Sequence, residues 1–278
     1  MLVEVVTGVA TNSLVLIADA GHMLADVLGL GLASLAIWFA SRPATPQKTY
    51  GYYRTEILAA ATNAVVLFAV SAYILYEAYR RFVEPPQVNS LPMLAVASVG
   101  LAVNVFGAWM LRRGAGESLN IRGAYLEALS DLLGSAGAIS AGVILLTTGW
   151  RYADPLFAAG IGLFILPRTW HLLRSSVDVL MEATPPGVDI GAIQRAMLSV
   201  PAVQSVHDLH VWTVTSGFIS LSAHVETDEG RGQHHILVDL RRTLVQRFGI
   251  EHATLQLETQ SLHDELEACC HIDSEVST

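Results

Sequence analysis

Residues 13–40 read SLVLIADAGHMLADVLGLGLASLAIWFA, a stretch that is apolar and long enough to cross a lipid bilayer as one helix, which takes about 20 residues. Four more stretches of this kind follow it, at residues 57–79, 91–111, 124–148 and 155–180. Only 15% of the 278 residues are charged, and the mean hydropathy is +0.46. This composition predicts an α-helical membrane protein and excludes a disordered chain, a nucleic-acid binder and an ordinary soluble enzyme.

Residues 1–9 are also apolar but are too short to cross a bilayer. They show neither the basic segment nor the cleavage site of a signal peptide. We interpret them as the last turns of a first helix that is truncated. The expected membrane domain, residues 1–183, is therefore a six-helix bundle whose first helix is incomplete.

Basic residues in the loops predict the orientation, because they accumulate on the cytoplasmic side of a membrane. The loops after residues 13–40 and 91–111 carry six of them: Arg42, Lys48, Arg54, Arg112, Arg113 and Arg122. The intervening loops carry Arg80, Arg81 and Arg151. The first pair of loops should therefore lie in the cytoplasm, and the C-terminal region lies on the same side.

The C-terminal region has a different composition. Residues 183–278 contain 13 acidic and 5 basic residues, together with eight of the ten histidines. The residues Pro185, Pro186 and Gly187 end the last membrane helix, because proline cannot continue it. We expect a cytoplasmic domain at residues 184–262, followed by a flexible tail at residues 263–278.

The periodicity of this domain predicts the order helix, strand, strand, helix, strand. The corresponding stretches are residues 190–198, 203–214, 218–225, 234–248 and 253–257. This αββαβ order suits an α+β fold with one sheet and two helices. So small a domain buries a limited core, and dimerisation would stabilise it.

Two pairs of ionisable residues lie inside the predicted membrane helices. His22 precedes Asp26 by four residues, and Glu127 precedes Asp131 by the same spacing. Residues four apart share one face of a helix. Because ionisable groups are costly inside a membrane, these four side chains indicate a functional site. Three carboxylates and one imidazole suit a divalent cation such as zinc, cobalt, iron or manganese.

The two segments resemble each other, since HMLADVLG (22–29) and EALSDLLG (127–134) share Leu, Asp, Leu and Gly at matching positions. In a six-helix bundle their helices run in opposite directions, as in the inverted repeats of secondary transporters. Gly29 and Gly134 would let neighbouring helices approach closely. An eight-residue similarity can also arise by chance.

Other polar residues of the spans have structural as well as functional interpretations. Asp19 shares the helix face of His22 and Asp26. Asn104 lies in the middle of the fourth span. Each of the two could support the metal site indirectly, or could serve helix packing alone. Glu127 could instead pair with Arg122 at the membrane interface. Asp154 is expected to cap a helix end, and Asp178 and His171 should also be structural residues near the interface.

Five motifs occur in one order along the chain: SLVLIADAGHMLAD (13–26), YGYYRTEILAAATNA (50–64), GAYLEALSDLLGS (123–135), ADP (153–155) and HDLHVW (207–212). Together they resemble the cation diffusion facilitator family, most of all its bacterial zinc-efflux branch, which is similar to the vertebrate zinc transporters. The resemblance implies a homodimer in the bacterial inner membrane with a metallochaperone-like cytoplasmic domain. It also implies export of a divalent metal, usually zinc, in exchange for protons, with no organic cofactor.

The resemblance maps the transport site onto His22, Asp26 and Asp131, with position 127 as the fourth ligand. Zinc-transporting members usually have histidine there, and this chain has Glu127. The third carboxylate makes the ligand set harder, in the sense of hard and soft ligands, and this favours cobalt, iron or manganese somewhat. We still expect zinc as the main substrate, with manganese, cobalt, iron or cadmium as the alternatives.

The resemblance also implies a regulatory metal site in the cytoplasmic domain, formed by His207, His224, His235 and Glu258. Each histidine could equally be an ordinary surface residue. By strict alternation, His210 and Trp212 lie on the opposite face of their strand from His207. His263, Cys269, Cys270 and His271 form a loose cluster in the tail, where metal capture or a disordered terminus is expected.

Two other classes of function fit part of the pattern. An intramembrane metalloenzyme needs three ligands, an open coordination position and a general base, as in HExxH, and the sequence lacks that motif. A membrane-bound metal sensor would use the C-terminal domain but would not need paired ligands inside the membrane. Transport therefore explains more of the sequence than either alternative.

Overall fold

The structure, a computed structural model, describes residues 1–112, 119–228 and 232–259. Six helices precede the C-terminal region: α1 (Leu2–Thr11), α2 (Leu14–Ala40), α3 (Thr55–Val83), α4 (Ser90–Leu111), α5 (Leu119–Thr148) and α6 (Ala153–Leu180). Within the described residues, α2 to α6 are apolar and long enough to cross a membrane, whereas α1 has 10 residues. The predicted spans are confirmed, and α3 is longer at both ends than its hydropathy indicated.

The break between α1 and α2 is built around Asp154. Asn12 adopts a left-handed conformation with φ of 59°, which ends α1. The fully buried Asp154 carboxylate then accepts hydrogen bonds from Ser13 Oγ at 2.7 Å and from the Leu14 amide at 2.8 Å. Arg81 Nη1 lies 3.5 Å from the same carboxylate. Asp154 therefore caps the N-terminus of α2 from the first turn of α6, and the helix-end cap expected from the sequence is confirmed.

The membrane helices pack through small side chains. Ala18 of α2, Ala78 of α3, Ala97 of α4, Ala138 of α5 and Ala158 of α6 all belong to one buried cluster. Small residues let helix backbones approach closely in a membrane, where dispersion contacts rather than water exclusion hold helices together. This packing brings α2 and α5 into contact, which positions the predicted metal site.

The C-terminal region contains the expected elements in the expected order. They are α7 (Ile190–Leu198), β1 (Val203–Thr215), β2 (Phe218–Thr227), α8 (Gln233–Phe248) and β3 (His252–Glu258). The sheet order is β1-β2-β3, with β1 antiparallel and β3 parallel to β2. Ile193, Met197, Leu240 and Leu244 from the two helices are fully buried against the sheet. The α+β prediction is confirmed.

The loop between α2 and α3 belongs to the same compact unit as the C-terminal region. Residues 43–57 group with the residues from 176 onward, and residues 1–42 group with 58–175. Within the second unit, Glu56 Oε1 accepts a hydrogen bond from Ser216 Oγ at 2.9 Å, and the Tyr53 ring packs edge-on against Phe218. The division of the chain at residues 183 and 262 stays a prediction, and the expected tail at 263–278 lies outside the described residues.

Candidate metal centre

The structure brings His22 and Asp26 of α2 together with Asp131 of α5. One ligand-type atom from each of these residues lies within 4.8 Å of the other two. His22 and Asp26 are stacked because residues four apart lie one turn apart on the same face of a helix. His22 is 9% exposed, and the two aspartates are half-buried.

Several buried atoms of this centre have no hydrogen-bond partner among the described residues. They are His22 Nδ1, Asp131 Oδ1 and Glu127 Oε1. His22 Nδ1 lies 3.6 Å from Asp26 Oδ2, and His22 Nε2 lies 3.7 Å from Glu127 Oε1. Buried polar atoms are nearly always paired in native proteins, so a group of unpaired ligand-type atoms at one place suits a bound cation.

Glu127 lies beside this group and is also held by Arg168 of α6. Glu127 Oε2 accepts a hydrogen bond from Arg168 Nη2 at 2.7 Å. The alternative partner considered from the sequence, Arg122, has a side chain outside the described part of the structure. Arg168 was not among the residues predicted from the sequence, although an arginine in the middle of a predicted span is itself a sign of function.

Asp19 and Asn104 contact one common residue of α5, Ser135, which follows Asp131 by four residues. Asn104 Nδ2 donates a hydrogen bond to Ser135 Oγ at 3.2 Å, and Ser135 also lies beside the Asp19 carboxylate. Asp19 is only 3% exposed. Neither residue belongs to the three-residue group.

Two of the cavities in the bundle are lined by residues of the centre. One of about 850 Å³ is lined by His22, Asp26, Asn63, Arg168 and His171. Another of about 740 Å³ is lined by Asp26, Glu127, Asp131 and Arg168. A hydrated ion could therefore reach the ligand atoms through space that already exists in the bundle.

A second group of ligand-type side chains lies on the sheet of the C-terminal unit. His207 of β1 is directly opposite His224 of β2, and Glu258 ends the neighbouring strand β3. His224 Nδ1 lies 2.7 Å from Glu258 Oε1, and His207 Nε2 lies 3.7 Å from Glu258 Oε2. Glu258 is 1% exposed, so its carboxyl group is buried beside the two imidazoles. His235 is exposed on α8 and is not part of this three-residue group.

A β-bulge changes the face on which His210 lies. The register shifts between His207 and His210, so that His210 pairs with Ser222, two residues from His224. His210 therefore lies on the same face as His207, and the expectation of opposite faces is wrong because the bulge interrupts the alternation. Asp208 occupies the bulge at φ of 50°, and its Oδ1 is 2.8 Å from His210 Nε2. No local signal in the sequence indicated this role of Asp208.

Comparison with protein-family models matches both parts of the chain. Residues 1–181 match the cation efflux transmembrane domain, and residues 185–260 match the cation efflux protein cytoplasmic domain. The chain belongs to the cation diffusion facilitator family. As a family member it is an integral membrane protein that exports divalent metal cations, and it is a transporter rather than an enzyme.

Relatives within the family are similar over nearly the whole chain. The cation efflux system protein CzcD of Alcaligenes sp. (strain CT14) is 49% identical, over 93% of this chain and 82% of its own length. A cadmium, cobalt and zinc/H(+)-K(+) antiporter of Bacillus subtilis (strain 168) is 40% identical, over 97% of this chain and 88% of its own. The zinc transporter ZitB of Escherichia coli (strain K12) is 40% identical, over 100% of this chain and 88% of its own.

Among solved structures, one that is similar to part of this chain comes from a CzcD transporter. It is the metal-bound C-terminal domain of the CzcD transporter from Cupriavidus metallidurans, which is 39% identical and matches with a TM-score of 0.25. The match covers 26% of this chain and 99% of that domain.

Proposed function

We propose that this chain exports zinc from the bacterial cytoplasm in exchange for protons, as a homodimer in the inner membrane. The observation that carries the proposal is the group formed by His22, Asp26 and Asp131, whose ligand-type atoms lie within 4.8 Å of one another in the middle of membrane helices. Glu127 completes the set as the fourth ligand, because its unpaired Oε1 is 3.7 Å from His22 Nε2.

Proton exchange follows from the chemistry of these ligands. A divalent cation binds carboxylates and a neutral imidazole, so metal binding releases protons and protonation releases metal. If the site opens alternately to the two sides of the membrane, an inward proton gradient drives the metal outward. The name of the Bacillus relative, which includes H(+), agrees with this mechanism.

Zinc is proposed as the main substrate because two relatives at 40% identity are named for it. One of these names also includes cadmium and cobalt. The three carboxylates of the site are hard ligands that accept cobalt and manganese readily. We therefore propose zinc as the main substrate and cobalt as a second one.

The C-terminal unit is proposed to bind metal on the cytoplasmic side. His207, His224 and Glu258 form a compact set of two nitrogens and a buried carboxylate, which suits zinc. The excess of basic residues in the loop after α2 and the name of the matched cytoplasmic domain support a cytoplasmic location. Occupancy of this site would follow the cytoplasmic metal concentration and would regulate transport by the membrane domain.

The test is metal flux into proteoliposomes that contain the purified full chain, with an imposed pH gradient. We expect zinc uptake that depends on the gradient, and competition by cobalt. Asp26→Asn and Asp131→Asn should each abolish uptake, whereas the control Asp178→Asn removes a carboxylate from α6 and should retain it. Undiminished uptake by either site variant would contradict the proposed ligands, and uptake without any response to the gradient would contradict proton exchange.

A further inference from the structure

Arg168 lies against the metal centre near the middle of α6 (Ala153–Leu180). Its guanidinium donates to Glu127 Oε2 at 2.7 Å and lines both of the larger cavities that open on the centre. An arginine side chain keeps its proton in proteins, so it is a permanent positive charge. The structure thus holds a fixed cation beside the place where a mobile dication would bind.

Glu127 divides its two oxygens between these cations. Oε2 is bonded to Arg168, while Oε1 is buried, has no hydrogen-bond partner and lies 3.7 Å from His22 Nε2. A metal at the centre would draw the carboxylate toward His22 and weaken its bond to Arg168. Metal and guanidinium therefore compete for one carboxylate.

The formal charges of the site favour such a competitor. With His22 neutral, the carboxylates of Asp26, Glu127 and Asp131 carry −3. Including Arg168 makes the total −2, which a divalent cation neutralises. Without the guanidinium the occupied site would keep a net charge of −1, and the uncompensated charge would hold the metal more tightly. Release to the far side of the membrane would then be slower.

We propose that Arg168 is a permanent counter-cation of the transport site. Its guanidinium binds the Glu127 carboxylate while the metal is absent, and it lowers the affinity of the site for the metal once the metal is bound. This inference rests on the proposed transport role of His22 and Asp131. Pro167 precedes Arg168 and cannot donate a backbone hydrogen bond to the carbonyl of Leu163. The helix can therefore adjust at this point, and the guanidinium can withdraw when the metal enters.

The test is the dependence of zinc flux on zinc concentration in proteoliposomes. Arg168→Gln should lower KM by about tenfold, as expected for the loss of one charged hydrogen-bond competitor, and should lower kcat because release is slower. Arg168→Lys keeps the charge and should retain a KM close to that of the unaltered protein. Arg174→Gln, six residues further along α6, is the matched control and should change neither constant.

A second comparison separates competition for Glu127 from a general effect on the helix. In the Glu127→Gln background, Arg168→Gln should change KM by less than about twofold, because the contested carboxylate is gone. A tenfold effect in that background would overturn the proposal. So would an unchanged or raised KM for Arg168→Gln in the otherwise unaltered chain, or a KM of Arg168→Lys as low as that of Arg168→Gln.

The outcomes also separate this inference from the proposed function. If the unaltered protein moves no metal, the proposed function fails, and the inference falls with it. If the unaltered protein transports zinc and Asp131→Asn abolishes transport, but Arg168→Gln leaves KM and kcat unchanged, only the counter-cation role is wrong.

Discussion

Gly134 of α5 lies directly against Asp19 of α2, so closely that a Cβ added at Gly134 would overlap the Asp19 carboxylate. The corresponding glycine of the other motif, Gly29, lies in the same way against Asn63 of α3, where an added Cβ would be 2.7 Å from Nδ2. Both glycines lie three residues after a candidate ligand, Asp131 or Asp26. The similarity between the two motifs therefore corresponds to a similar close approach beside each pair of candidate ligands.

Gly134→Ala should displace Asp19 and loosen the contact between α2 and α5. Because Asp19 is buried, we expect the free energy of unfolding to fall by about 1–3 kcal/mol, as is usual for overpacking. Thermal unfolding of the purified protein in detergent measures this, together with zinc flux. Gly31→Ala is the control, since nothing lies within 4 Å of an added Cβ there. Equal stability of the two variants would contradict the close approach.

Glu127→His should shift the selectivity of transport toward zinc. An imidazole is a softer ligand than a carboxylate, so we expect the ratio of zinc to manganese flux to rise by about five- to tenfold. Competition flux with zinc, cobalt and manganese measures the ratio. The double variant Glu127→His with Arg168→Gln keeps the formal charge of the site at −2 and separates ligand type from charge. An unaltered metal profile in both variants would show that Glu127 does not touch the metal.

Asp154→Ala should destabilise the fold without altering the chemistry of transport. The carboxylate caps α2 and lies beside the buried guanidinium of Arg81, so its loss should cost about 2–4 kcal/mol. Thermal unfolding measures the loss, and flux per folded molecule should change little. Asp178→Ala removes a carboxylate from the same helix and serves as the reference. A variant as stable as this reference would rule out the capping role.

Metal binding by the C-terminal unit should depend on His224 and Glu258. In the background of Asp26→Asn with Asp131→Asn, the full chain should still bind zinc, and adding His224→Ala should remove that binding. Calorimetric titration at neutral pH measures it, and acidification should weaken it because protons compete for the imidazoles. The variant His235→Ala tests whether His235, which the sequence predicted as a ligand, contributes to zinc binding. Full zinc binding after loss of both His224 and Glu258 would contradict this site.

Much of the fold could be predicted because its signals are local. Hydropathy identified the five spans, and the strand and helix periods identified the αββαβ order of the C-terminal unit. The boundaries were less accurate, since α3 continues to Val83 where charged residues had lowered the hydropathy. The face of His210 was wrong because a bulge adds a residue that no alternation pattern shows.

The sequence by itself determined that this chain is a polytopic membrane protein with ligand pairs at a spacing of four, because hydrophobic length and helical period are properties of neighbouring residues. Only the tertiary structure decided which partners those ligands meet. Glu127 and Arg168 are 41 residues apart and come together only because the folded bundle places α5 and α6 near each other at this point. Asp154 meets the start of α2 across 140 residues for the same reason. Contacts of this kind depend on helix packing, which no short stretch of sequence encodes.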